Sequence, residues 1–296
     1  MRRVTLIGLA LLLAGCSGGV PEVTETPTGS LPIQLQKVTK LIIGDNKEVG
    51  AYLELVGDDE QPIEGKAWAY SHGYTSQSAS MAKPMIVLMA LRQARADGGQ
   101  PTDAENPDSV RLSDEYKGLA QAAIIDSDND AADELWAYAG SSGGYDSLAT
   151  MLGLLDSHAD PARDFWSWTW TTPEDQVKLM RIIDLAQPVP AANPELTAED
   201  FLFLSDLMGH VSGDQAWGVG TAPREHGERV WLKNGWVQFE STDGLWAVNT
   251  MGEVWGENAH YRLCIMGRFP DFDTGKETLD AIGGWVYDLI SAGSDW

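Results

Sequence analysis

The chain has 296 residues, 43% hydrophobic and 22% charged, enough to bury one substantial core or two joined lobes and too ordinary a mixture for a disordered chain or a coiled coil. Its formal net charge of -24 argues against a nucleic-acid partner, because nothing in so acidic a chain would neutralise phosphates. Such a surface favours solubility, repels anionic surfaces and would suit a salty habitat, so the charge speaks of surroundings and not of mechanism.

The first 15 residues predict a signal peptide: Arg2 and Arg3 give a basic start, and Val4 to Leu13 form an apolar run too short for a stable membrane span. The run closes on Leu13-Ala14-Gly15-Cys16, which resembles a bacterial lipobox, with cleavage before Cys16 and lipidation of its thiol. Residues 16–32, rich in Gly, Ser, Thr, Pro and Glu, then read as a flexible tether holding an extracytoplasmic domain off the cell membrane. With Cys16 lipidated, Cys264 has no disulfide partner, and its apolar neighbours mark it as a buried small hydrophobe.

A helix is predicted over Ile33 to Ile42, and alternation over Val49 to Val56 and Lys66 to Ser71 around Gly57-Asp58-Asp59-Glu60 predicts a β-hairpin. From Ser80 to Gly213 the pattern turns helical, with segments at Met85–Ala96, Asp114–Ile125, Asp130–Ala139, Tyr145–Leu154, Glu174–Ala186 and Ala198–Met208. Thr172-Pro173-Glu174-Asp175 carries a hydroxyl cap, a first-turn proline and early acids, the signature of a helix start. Strands return at Arg229–Gln238, Leu245–Val254 and His260–Phe269, followed by an amphipathic helix from about Thr274 to Ile290. The economical arrangement is an α+β fold: one five-stranded antiparallel sheet built from both chain ends (33–79 and 214–296), flanked by helices, with 80–213 inserted as an all-helical lobe.

Three short motifs carry chemistry. In Ser80-Met81-Ala82-Lys83 a hydroxyl and an amine three residues apart at a helix start share one face; a desolvated lysine can take the serine proton, and helix N–H groups can receive an oxyanion. Taken alone, the same residues could be a cap and a solvated lysine. Ser127-Asp128-Asn129, between two helices, offers a relay hydroxyl and an amide, or else a turn and an N-cap. Asp126, Asp128 and Asp130 alternate like a calcium loop, but Ala131 and Ala137 stand where that loop needs Gly and Glu. Lys233-Asn234-Gly235 lies in a late strand, where Gly permits close backbone approach and Lys233 could pair with a substrate carboxylate or tune Ser127.

The order Ser-x-x-Lys, Ser-Asp-Asn, Lys-x-Gly on a helix start, an interhelical loop and a late strand resembles the β-lactamase and penicillin-binding superfamily. The likeness is closer to class A-like serine hydrolases of actinobacteria, through Ser127 to Ala132, Lys233 to Trp236, Gln215 to Val219 and Val248 to Gly252, and it covers roughly Val49 to the C-terminus. It implies a β-lactamase/transpeptidase-like fold and an acyl-enzyme hydrolase with Ser80 as nucleophile, Lys83 as general base, Ser127 as proton shuttle and Lys233 as carboxylate or shuttle partner. Asn129, Asn234, Gly235 and Trp236 would face substrate, and the N–H groups of Ser80 and Trp236 would form the oxyanion hole. The implied substrate is a small molecule or a peptidoglycan-like peptide; no cofactor or metal is expected, a monomer is, and the membrane is met through the lipid anchor.

The chain departs from that pattern in places. Class A β-lactamases carry a water-activating glutamate before the Thr-Thr-Pro helix, whereas Leu154 to Trp170 here offers only Asp156, Asp160 and Asp164, so inefficient β-lactam turnover is expected. Asn234 replaces the hydroxyl residue of many relatives, and Pro84 would kink a helix that began well before Ser80. Glu174 reads as a dipole-complementing residue, and Trp166, Trp168 and Trp170 as packing in preference to a ligand wall. The five histidines lack metal-ligand spacing and no Gly-x-Ser-x-Gly elbow exists. The rival to an enzyme is a non-catalytic binding or cell-envelope scaffold lipoprotein that keeps the fold without turnover.

Overall fold

The computed structural model describes residues 20–24, 26–185, 196–238, 244–257 and 259–296; the signal peptide and Cys16 lie outside the described residues. Five antiparallel strands form the sheet: β1 (Val49–Val56), β2 (Pro62–Tyr70), β5 (Arg229–Gln238), β6 (Trp246–Trp255) and β7 (His260–Phe269), in the order β2-β1-β7-β6-β5. The hairpin from the start of the chain thus pairs with the last strand, as the two-ended arrangement requires.

Side-chain alternation divides the sheet into two faces. Ala51 and Leu53 on β1, Leu263 and Ile265 on β7 and Val230 and Leu232 on β5 pack with α1 (Leu31–Ile43) and α9 (Phe272–Ser291) in one core. Met251, Cys264 and Met266 face the other way, into a core shared with the helical lobe. Cys264 is fully buried there, and burial raises its thiol pKa well above the usual value, as befits an inert packing residue.

The helical lobe comprises α2 (Lys83–Ala96), α3 (Asp114–Gln121), α4 (Asn129–Tyr138), α5 (Ser141–Leu152), α6 (Pro173–Asp184) and α7 (Ala198–Gly209). Met85 to Leu91 are all buried, so α2 is its central helix, packed on every side. Pro84 falls in the first turn of α2, where its missing N–H is no loss, because a 3-10 turn over Ala79–Ala82 precedes it; the kink that Pro84 threatened does not arise. The start of α6 is as expected, with Thr172 Oγ1 accepting from Asp175 N at 3.1 Å.

Two features differ from expectation. Part of the predicted tether rests against the body: Val20 and Val23 pack on the α1/α9 core, Lys37 Nζ donates to Thr28 O at 2.9 Å and α1 begins at Leu31. Two apolar residues and backbone acceptors suffice to dock a segment whose composition alone predicts none. The segment with three alternating tryptophans is part strand, since β4 (Trp170–Thr171) pairs with β3 (Ser76–Gln77), and part 3-10 turn at Trp166–Trp168.

Candidate active site

Ser80 sits in the 3-10 turn that leads into α2, and the turn is held from both sides. Ser78 donates from its backbone N and its Oγ to Thr169 O, at 2.7 and 2.9 Å, and Asn249 Nδ2 on β6 donates to Gln77 O at 2.9 Å. These bonds fix Ala79 in the left-handed region, φ 49°, which costs a non-glycine residue on the order of 1–3 kcal/mol. Ser127 is left-handed too, φ 58°, directly after a π-turn over Ala122–Asp126. Both strained residues border the same cleft, where the surrounding hydrogen bonds over-determine them.

Lys83 is fully buried and reaches Ser127 and Asn129: its Nζ donates to Ser127 O, to Ser127 Oγ at 3.2 Å and to Asn129 Oδ1 at 2.9 Å. No Ser80–Lys83 side-chain hydrogen bond is formed among the described residues; the lysine meets the Ser127 hydroxyl directly. Burial pulls the Lys83 pKa down to about 7 against the opposing pull of Asp128 and Asp133, so its neutral form is populated near neutral pH. Lys233 Nζ donates to Ser127 Oγ at 2.9 Å and to Asn234 O at 3.0 Å, and burial, then repulsion from Lys83, lowers its pKa well below the usual range. One hydroxyl therefore lies between two desolvated amines.

The Lys233-Asn234-Gly235 motif divides by alternation. Lys233 and Gly235 face the helical lobe, whereas Asn234 faces the opposite side of β5, where its Nδ2 donates to Gln215 O at 2.7 Å and Trp217 O at 3.0 Å. The expectation that Asn234 contacts substrate is therefore not met: its amide ties β5 to the Gln215–Trp217 segment instead. Trp236 shares that side, its ring 5.9 Å from Trp217 and 5.2 Å from Phe272, yet the residue also borders the cleft. At Gly235 an added Cβ would lie 2.7 Å from Met81 N and Ser78 O and 2.8 Å from Ser80 N. All three are backbone atoms and cannot swing aside. Gly235→Ala is expected to push β5 off the Ser80 turn, costing about 1–3 kcal/mol of stability and most of the Ser80 reactivity, as thermal melts and active-site labelling would show.

Ser80, Ser127, Asn129, Trp166, Gln215 and Trp236 are among the residues lining a cleft of about 320 Å³. Among its described lining residues Asp126 is the one charged side chain, since both lysines lie beneath the surface. A roomier depression of about 500 Å³ between α2 and α5 contains none of the motif residues.

None of the three loop aspartates enters the cleft. Asp164 accepts from Ser142 N at 3.0 Å, Ser142 Oγ at 2.7 Å and Trp136 Nε1 at 3.3 Å, and the Ser142 bonds hold its carboxyl below the usual range. Asp160 pairs with Arg163 at 3.6 Å, and Asp156 is exposed. Glu174 turns to the β2–β3 loop, accepting from Gly73 N at 3.3 Å. Where a carboxylate was sought, the loop presents Trp166. The indole is 3% exposed, Lys83 Nζ lies 4.9 Å from its ring centroid, and its Nε1 donates to Asp133 Oδ1 at 2.5 Å. The sequence reading favoured packing for this residue and passed over Asp133; the run of alternating tryptophans was the one available sign of a wall beside the site.

No protein-family model matches the sequence, and no curated protein matches it. Solved structures do. The crystal structure of the TLA-3 extended-spectrum β-lactamase superposes with a TM-score of 0.68 at 16% identity, covering 88% of this chain and 99% of that one. A class A β-lactamase from Bacteroides cellulosilyticus gives 0.67 at 18% identity, covering 90% and 100%, and PBP-A gives 0.64 at 18%, covering 92% and 99%. Over nearly its whole described length, this chain has the fold that class A β-lactamases share with PBP-A.

Proposed function

We propose that the protein is a serine acyl-enzyme hydrolase of the β-lactamase/D,D-peptidase type, acting on an amide or ester, and that its β-lactam turnover is slow. The observation that carries this reading is the Ser127 hydroxyl held between the Lys83 and Lys233 amines in the cleft that Ser80 also lines. Neutral Lys83 takes the Ser80 proton as Oγ bonds to the carbonyl carbon, and the N–H groups of Ser80 and Trp236 receive the oxyanion. As the C–N or C–O bond breaks, the proton passes from Lys83 through Ser127 to the leaving group, with Lys233 steadying the relay. The acyl group stays on Ser80. Asp126, the one charged side chain among the described lining residues, disfavours acyl donors that carry negative charge close to it.

Slow turnover follows from the loop, where no carboxylate reaches the cleft. The test is to incubate the purified protein with a fluorescent penicillin and, separately, with small esters and D-Ala-D-Ala peptides, following intact mass. A persistent adduct that vanishes in Ser80→Ala is expected; absence of both adduct and turnover with every substrate would leave the non-catalytic scaffold as the reading. We place the protein outside the cytoplasm on a lipidated Cys16, which predicts that Cys16→Ala abolishes metabolic labelling with a fatty-acid probe and releases the protein from the membrane fraction.

A further inference from the structure

The Lys83 amine is crowded: its Nζ lies within hydrogen-bond reach of Ser127 O, Ser127 Oγ and Asn129 Oδ1, and the Trp166 ring lies beside it, 4.9 Å from Nζ to the ring centroid. An ester on Ser80 is hydrolysed only when a water oxygen adds to its carbonyl while a base takes the water proton, after which Oγ leaves and is reprotonated. Trp166 lines the cleft together with Ser80 and Ser127, so the indole fills space beside Ser80 that a water held near the Lys83 amine would otherwise take. An apolar ring can neither orient nor deprotonate that water.

The ring is also fixed. Its Nε1 donates to Asp133, an exposed residue of α4, while Phe165 stacks against the ring at 5.5 Å between centroids. Thr169 closes the turn, its Oγ1 donating to Trp166 O at 2.8 Å. A ring clamped at its edge and stacked on by a neighbour has little freedom to swing clear when substrate enters.

We infer that Trp166, clamped by Asp133 beside the Lys83 amine, bars hydrolytic water from the Ser80 acyl-enzyme and thereby makes the protein a covalent trap for its substrate. Asp133 acts through Trp166 and is a positioning residue. The inference rests on the acyl-enzyme reading above and adds to it the residue that sets the lifetime of the adduct. No loop carboxylate reaches the cleft, and the indole in addition keeps water from the Lys83 amine.

The experiment measures adduct formation and adduct decay separately, in the full chain, with a fluorescent penicillin as probe. Asp133→Ala frees the indole from the protein surface without touching the cleft, and is expected to shorten the adduct lifetime about tenfold; Asp133→Asn, whose Oδ1 still accepts from Nε1, is expected to restore the long lifetime. Trp166→Ala is expected to shorten it further, with circular dichroism and melting temperature verifying that the variant is folded. A purely structural Asp133 would lower the melting temperature in both Asp133 variants and leave the decay rate of the adduct alone. Equal lifetimes in wild type, Asp133→Ala and folded Trp166→Ala would overturn the inference while leaving the acyl-enzyme reading intact. Failure of the wild-type protein to form any Ser80 adduct would overturn both.

Discussion

Acylation of Ser80 is expected to rise with pH through about 7 and to level off above it, and Lys83→Met is expected to slow it by about 10²–10⁴-fold at pH 8. The direction follows from burial. A lysine without a carboxylate partner inside a protein loses hydration without recovering it as an ion pair, so its charged form is disfavoured and its pKa falls. Below pH 7 the amine is protonated and cannot accept the Ser80 proton; above it the base is ready. Lys83→Arg separates this role from a merely electrostatic one, because a guanidinium keeps the charge but does not titrate in the accessible range, and it is expected to be as poor as Lys83→Met. The measurement is the second-order rate of labelling by a fluorescent penicillin between pH 5 and 9. A flat profile, or labelling by Lys83→Arg at the native rate, would remove Lys83 from the proton path and pass the role to Lys233.

Much of this site is legible in the sequence, and what is not has a common cause. The strand around Lys233 shows in the alternation of Arg229 to Gln238, and the need for Gly235 follows from a backbone approach that a strand in this position invites. The same alternation puts Asn234 on the far face, a consequence that motif order alone does not reveal. Ala79 and Ser127 give no sign of their left-handed backbones, because neither residue type favours that region and only bonds from Thr169, Asn249 and the π-turn hold them there. Trp166 over Lys83 is likewise a contact between segments far apart in the chain. Periodicity and capping report on neighbours along the chain; the crowding of the amine depends on which loop the fold lays beside it.

Long-range contact also assembles a buried charge cluster, and Arg262→Met is expected to cost about 3–5 kcal/mol. Arg262 is fully buried between sheet and helical lobe: Nε donates to Glu253 Oε2 at 2.9 Å, Nη1 to Glu54 Oε1 at 3.0 Å and Nη2 to Asp184. Arg181 on α6 also donates to Glu54, with Nε at 3.1 Å. Three carboxylates thus meet two guanidiniums, while burial keeps His260 beside Glu253 on the neutral side of its usual range. Burial pushes Glu253 up to about 7 against the pull of Arg262, with a smaller push from Glu54, and burial, then the Glu253 charge, pushes Asp184 up to about 6, with Arg262 again opposing. Acids whose folded pKa is raised contribute stability that is complete below their unfolded pKa, near 4, and lost as pH rises through the folded value. This cluster therefore holds the lobes together best in mild acid and less well from pH 6 to 8. Removing Arg262 withdraws the main counter-charge, which matters most when the carboxylates are ionised. The gap in melting temperature between wild type and Arg262→Met is accordingly expected to be wider at pH 8 than at pH 5, and Glu253→Gln is expected to flatten the wild-type dependence over the same range. Equal gaps at both pH values would show that Arg262 contributes by packing and hydrogen-bond geometry, with no shared proton at the lobe interface.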